Sequence, residues 1–149
     1  MSSHKPLELR ISNDVHDYVR VEVTTQLPGS SFDRARWLSC DIEVKCGALT
    51  AQMRGYRLRA EAIARFRERV RELHKELSGT ATFTGDDERF SLSFEGDGLG
   101  HIEVSGELSD EPFLDAGGHF TFNFGSDQTF LRRFIVGLDI LNRAYPDPD

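Results

Sequence analysis

The chain reads as an α+β domain. A two-layer arrangement is expected, with a mostly antiparallel sheet carrying two helices on one face, in the order ββββα-ββββα. Three observations predict it. Two stretches of period-two apolar alternation each end in one amphipathic helical segment. The two helices carry matching apolar stripes. No linker, low-complexity segment or residue-level repeat divides the 149 residues, so they are expected to form a single domain over 1–149, with flexible tails at 1–6 and 146–149.

In the first part, Leu7, Leu9 and Ile11 alternate with polar residues, as do Val19, Val21 and Val23, with the turn-prone Ser12-Asn13-Asp14 between them. Gln26 to Arg36, containing Pro28-Gly29-Ser30-Ser31, reads as a loop. The clearest strand follows. Leu38, Cys40, Ile42, Val44 and Cys46 point one way, and Ser39, Asp41, Glu43 and Lys45 the other. Gly47 turns the chain into a fourth strand at Leu49, Ala51 and Met53, and Gly55 marks a bend or bulge before Tyr56 and Leu58. Ile63, Phe66, Val70, Leu73 and Leu77 then step by three and four, the stripe of a helix. Its back carries Glu68, Arg71, Glu72 and Lys75 as i,i+3 pairs, and Ser78-Gly79 supplies a stop.

The second part repeats the order. Ala81 and Phe83 make a short strand, Phe90, Leu92 and Phe94 a second, and Ile102, Val104 and Leu108 a third after the turn Gly96-Asp97-Gly98. An acidic loop from Ser109 to Gly118 carries Phe113 and Leu114 and leads to a strand with Phe120, Phe122 and Phe124. Ser126 or Asp127 is expected to cap a helix with the stripe Phe130, Phe134, Leu138, Leu141 and Tyr145, ended by Pro146 and Pro148. Val136 and Ile140 fall on its far side, under a loop or against another chain.

Charge is distributed unevenly. Residues 1–77 hold 14 basic and 11 acidic groups (+3), and residues 78–149 hold 4 and 14 (−10), which sum to the net −7 of the whole chain. That balance disfavours direct contact with nucleic acid or an anionic membrane and favours a basic protein partner or simple solubility. Between residues 86 and 115, ten acidic groups face one basic residue, Arg89. Asp86, Asp87, Glu88, Glu103, Glu107, Asp110 and Glu111 are therefore the candidate partner-binding residues. No apolar run reaches the ~18 residues of a membrane span, and the N-terminus lacks a signal-peptide pattern. Cys40 and Cys46, six residues apart on one strand, are too distant for a disulfide and are expected as buried, reduced thiols, which fits the cytoplasm.

Catalytic patterns are absent. The sequence holds no Gly-x-Ser-x-Gly, His-Glu-x-x-His, Cys-x-x-Cys or phosphate-cradling loop, and Asp97-Gly98-Leu99-Gly100 reads as a hairpin turn. No catalytic residue, metal ligand or cofactor is assigned. His101, His119 and Glu103 could form a small-molecule or metal site if their strands brought them together, although strand-end histidines on a solvated face are ordinary. Trp37, at the start of the long strand, points to the polar face as an interface anchor or beneath a neighbouring loop.

Several segments together resemble a known family. They are Trp37, Gly79-x-Ala81-x-Phe83, Asp97-Gly98-Leu99-Gly100-His101-Ile102, Gly106-x-Leu108, Phe122-x-Phe124 and Asp127-Gln128-Thr129-Phe130-Leu131. Over roughly residues 35–142 the chain is similar to the WapI-like bacterial immunity proteins. The resemblance implies a cytoplasmic, non-enzymatic protein that binds and neutralises the basic C-terminal domain of a cognate toxin, often a nuclease. It also implies that the shared motif residues are structural, with Gly79 ending a helix and Asp127 capping one. Two other readings remain open: a homodimeric structural or regulatory domain using Val136 and Ile140 or a free sheet edge, and a small-molecule enzyme on the open sheet face.

Overall fold

The computed structural model describes residues 7–26, 36–110 and 118–145. The expected order is present: β1 (Leu7–Ser12), β2 (Tyr18–Gln26), β3 (Trp37–Cys46), β4 (Leu49–Arg59), α1 (Ala60–Glu76), β5 (Ser78–Thr84), β6 (Phe90–Asp97), β7 (His101–Ser109), β8 (His119–Asp127) and α2 (Gln128–Ala144). Every strand pairing is antiparallel.

The strands form two sheets where one was expected. One has the order β1-β2-β3-β4, the other β5-β6-β7-β8. The edge of β8 shows why they stay separate. The carbonyls of Asn123 and Gly125 accept from Cys46 Sγ (3.2 Å) and Asn13 Nδ2 (2.9 Å), so side chains at the turns of the first sheet occupy positions another strand would pair with. The helices tie the halves together. α1 lies along β5 and α2 along β1, and the two helices pack against each other. One apolar core spans both halves. At its centre Phe66 of α1, Phe94 of β6 and Phe134 of α2 meet with ring centroids 5.1–6.1 Å apart. Aromatic pairs in that range add about 0.5–1.5 kcal/mol each beyond the area they bury.

Local structure follows the residue pattern with a few departures. Leu38, Cys40, Ile42 and Val44 are buried, as alternation requires. Cys46 is only partly buried, unlike the expectation, because it ends β3 beyond the core and reaches toward Asn123. β4 bulges between Met53 and Tyr56, with Gly55 at φ +65° and its N–H donated to Asp41. α1 buries Ile63, Phe66, Val70 and Leu73. Its end differs from the expected Gly79 stop. Leu77 takes the left-handed position (φ 61°), and β5 starts at the next residue. Gly96 permits this, since a side chain there would run into the Leu77 carbonyl, which instead accepts from Gly98 N at 2.7 Å. α2 is capped by Asp127, whose carboxylate accepts from Thr129 N (2.9 Å) and Phe130 N (3.1 Å). Its buried stripe is Leu131, Phe134, Leu138 and Leu141; Phe130 is only partly covered, with Arg133 stacked over its ring at 5.2 Å. On the back of α1 the Glu68–Arg71 pair forms at 4.0 Å, whereas Glu72 and Lys75 stand outside 4 Å of each other.

Candidate functional site

The outward face of the second sheet is built by alternation. Phe90, Leu92, Phe94, Ile102, Val104, Leu108, Phe122 and Phe124 turn into the core. Thr82, Ser93, Ser105 and Asn123 therefore lie in one outward row across β5 to β8, and Ser91, Glu107 and Thr121 in the next. Toward the other end Glu95 stands directly opposite Glu103. Glu95 and Glu103 are exposed and Glu107 is partly so. Strands β5–β8 hold Glu95, Asp97, Glu103, Glu107 and Asp127 and no Lys or Arg.

The remaining acidic residues cluster at one end of this sheet, and several are engaged with the first half. Asp86 Oδ2 lies 2.6 Å from Arg59 Nε, a contact whose orientation makes it an ion pair and not a hydrogen bond. Arg59 also stacks over Trp37 at 5.0 Å, so an arginine covers the tryptophan on the polar face of the first sheet. Asp87 accepts from the hydroxyl of buried Tyr56 and lies 3.8 Å from Arg89. Burial first, then the Asp87 carboxylate, holds the Tyr56 phenol well above its usual range. Arg89 reaches Asp110 at 4.0 Å and the Ser109 carbonyl at 3.3 Å. Glu88 is exposed in the β5–β6 turn at φ 62°. Glu111 lies outside the described residues. A groove of about 470 Å³ opens beside this cluster between β4 and the β7–β8 end, walled by Met53, Tyr56, Arg89, Asp110, His119 and Phe120.

The six candidate residues among those described thus separate into two groups. Asp86, Asp87, Glu88 and Asp110 sit at the turns near Arg89, and Glu103 and Glu107 project from β7 itself. Glu95 belongs with the second group. Sequence alone singles it out for nothing, since its position opposite Glu103 depends on the β6–β7 register.

The histidine site does not assemble. His101 opposes Asp127, and His119 opposes Ser109. Each histidine begins its strand, and antiparallel neighbours begin at opposite ends, so eight residues of strand separate them, on the order of 25 Å. His119 instead lies 3.4 Å from Glu107, with both side chains about half exposed. Among the described residues no group of three His, Cys, Asp or Glu side chains is placed to hold a metal, and no helix is long and apolar enough to cross a membrane.

The first sheet's outward face differs in kind. Glu43 accepts from Tyr18 Oη and Gln52 Nε2 and lies 3.6 Å from Arg20, while Arg10 stacks over the Tyr18 ring at 4.6 Å. Its carboxyl is held below its ordinary range, chiefly by the Tyr18 hydrogen bond. Charges of both signs stand on that face: Arg20 pairs with Glu43, while Glu8, Glu22 and Asp41 lie in register beside one another.

No curated protein matches the chain. A solved structure described as Trypanosoma bruciei MRP1/MRP2 is similar at 13% identity and a TM-score of 0.42, covering 98% of this chain and 90% of that one. The immunity protein WapI-like family matches residues 7–146, almost the whole sequence. The chain belongs to the WapI-like immunity protein family.

Proposed function

We propose that this immunity protein binds a cognate bacterial toxin domain and neutralises it by occlusion, without catalysis and in the cytoplasm. The contact is made by Glu103 and Glu107, joined by Glu95, with Asp86, Asp87, Glu88, Asp110 and Glu111 around the end of the sheet. The observation that carries this reading is the composition of β5–β8: five carboxylates with no Lys or Arg. Glu95 and Glu103 directly opposite each other oppose folding by tenths of a kcal/mol or more. A cationic partner relieves that repulsion.

Such a surface fits a basic toxin domain. A nuclease meets the description, because it must present cations to a phosphate backbone. Opposite surface potentials speed encounter and lose strength as salt rises. The test is titration calorimetry with the toxin domain encoded beside the gene, at low and at high ionic strength. A complex whose Kd rises at least tenfold with salt supports the proposal. Absence of any complex at low salt overturns it.

A further inference from the structure

The solvent face of α2 is unlike the surfaces described so far. At 100° per residue, Arg132, Arg143, Val136, Ile140 and Arg133 fall in that angular order within one strip about 100° wide. Leu131, Phe134, Leu138 and Leu141 point the opposite way and account for the packing of this helix. Val136 and Ile140 are 52% and 45% exposed, so they add little to the core. The one acid of α2, Asp139, is taken by Arg67 of α1 at 2.6 Å, while Glu8 and Asp14 share a groove with Arg133 beyond ion-pair distance. Among the described residues Arg132, Arg133 and Arg143 make no ion pair within 4.0 Å.

We propose that this face of α2 docks an acidic protein segment bearing apolar side chains, a partner distinct from the toxin domain. Val136 and Ile140, one turn apart, form an apolar ridge, flanked by Arg132 and Arg143 on one side and by Arg133, stacked over Phe130, on the other, guanidinium forks suited to carboxylates. Charge selects the occupant. A basic domain is repelled. A second copy meeting the same face across a two-fold axis sets arginines against arginines, a juxtaposition that disfavours association. A lipid surface is poorly served, since an interfacial helix inserts a whole apolar face and that of α2 is committed to the core.

The test uses two labelled synthetic helical peptides of equal negative charge, one with leucines spaced i,i+4 among glutamates and one with serines in their place. Fluorescence anisotropy with the full chain is expected to show the leucine peptide binding at least tenfold more tightly. V136S/I140S reduces it to the level of the serine peptide, and R132E/R143E weakens both at least tenfold. These positions are exposed, and circular dichroism confirms that the variants fold. Equal affinity for the two peptides, or none for either, overturns the proposal. So does Val136-dependent binding to phosphatidylserine vesicles in place of the peptide, or a concentration-dependent dimer abolished by V136S/I140S.

Discussion

The hydroxyl of Ser126 donates to the carbonyl of Ser12 at 2.6 Å, joining the end of β8 to the first turn of the other sheet. Ser126 is the buried polar residue among those described, at 6% exposure. With Asn13 to Gly125 and Cys46 to Asn123, it makes the edge of β8 the seam between the halves. A side chain missing from that seam leaves a carbonyl without its partner. S126A is expected to cost about 1 kcal/mol, the usual net worth of one such hydrogen bond. Urea unfolding followed by fluorescence should show a lower midpoint with a single transition; an unchanged midpoint would mean that the seam adds nothing.

Gly106 of β7 stands opposite Leu92 of β6 and Phe122 of β8. A Cβ there would run into the Ser91 carbonyl oxygen and lie 2.7 Å from Cζ of Phe122. The obstructing atom on one side is backbone, so the strands themselves have to move. G106A is expected to destabilise by about 1–3 kcal/mol, the range for overpacking a core. Thermal unfolding of the variant checks this.

The Asp127 cap supplies two orphan amides of α2 with an acceptor. D127A should lose about 1 kcal/mol. D127N, which keeps an accepting oxygen, should restore most of it, and the pair separates capping from charge.

Glu43 gives the protein an acid-sensitive element away from the proposed interface. Its folded pKa lies below its ordinary value of 4.5, so it contributes stability that is fully present above that value and lost as pH falls through the lower, folded one. Stability measured from pH 6 to 3 should decline less steeply in E43Q than in the native chain. Parallel curves would remove Glu43 from the account.

The two thiols should differ in reactivity. Burial pushes the Cys40 thiol up to about 12, so it stays protonated at pH 8, while Cys46 is partly exposed. Mass spectrometry after brief maleimide treatment of the native protein should find Cys46 labelled and Cys40 labelled only on unfolding.

Much of the fold was legible because it is local. Period-two alternation located the strands, and the steps of three and four in Ile63–Phe66–Val70–Leu73 located a helix. What escaped depends on distant partners. The division into two sheets rests on Asn13 and Cys46 blocking β8, residues far from it in sequence. The Leu77 cap depends on Gly96 across a strand pairing, and the α2 stripe shifts from Phe130 to Leu131 once Asp127 sets the first turn. At the candidate site the acidic bias was visible from composition. Glu95 was not, since only the register sets it against Glu103, and the same antiparallel register sends His101 and His119 to opposite ends.

The central claim is that the outward face of the second sheet captures the toxin. Its most direct measurement is the affinity of the toxin domain for E103K/E107K beside the native chain, with R132E/R143E as a variant of the opposite face. The account predicts a loss of at least tenfold for E103K/E107K, about 1.4 kcal/mol or more, and native affinity for R132E/R143E. Native affinity in E103K/E107K would contradict it.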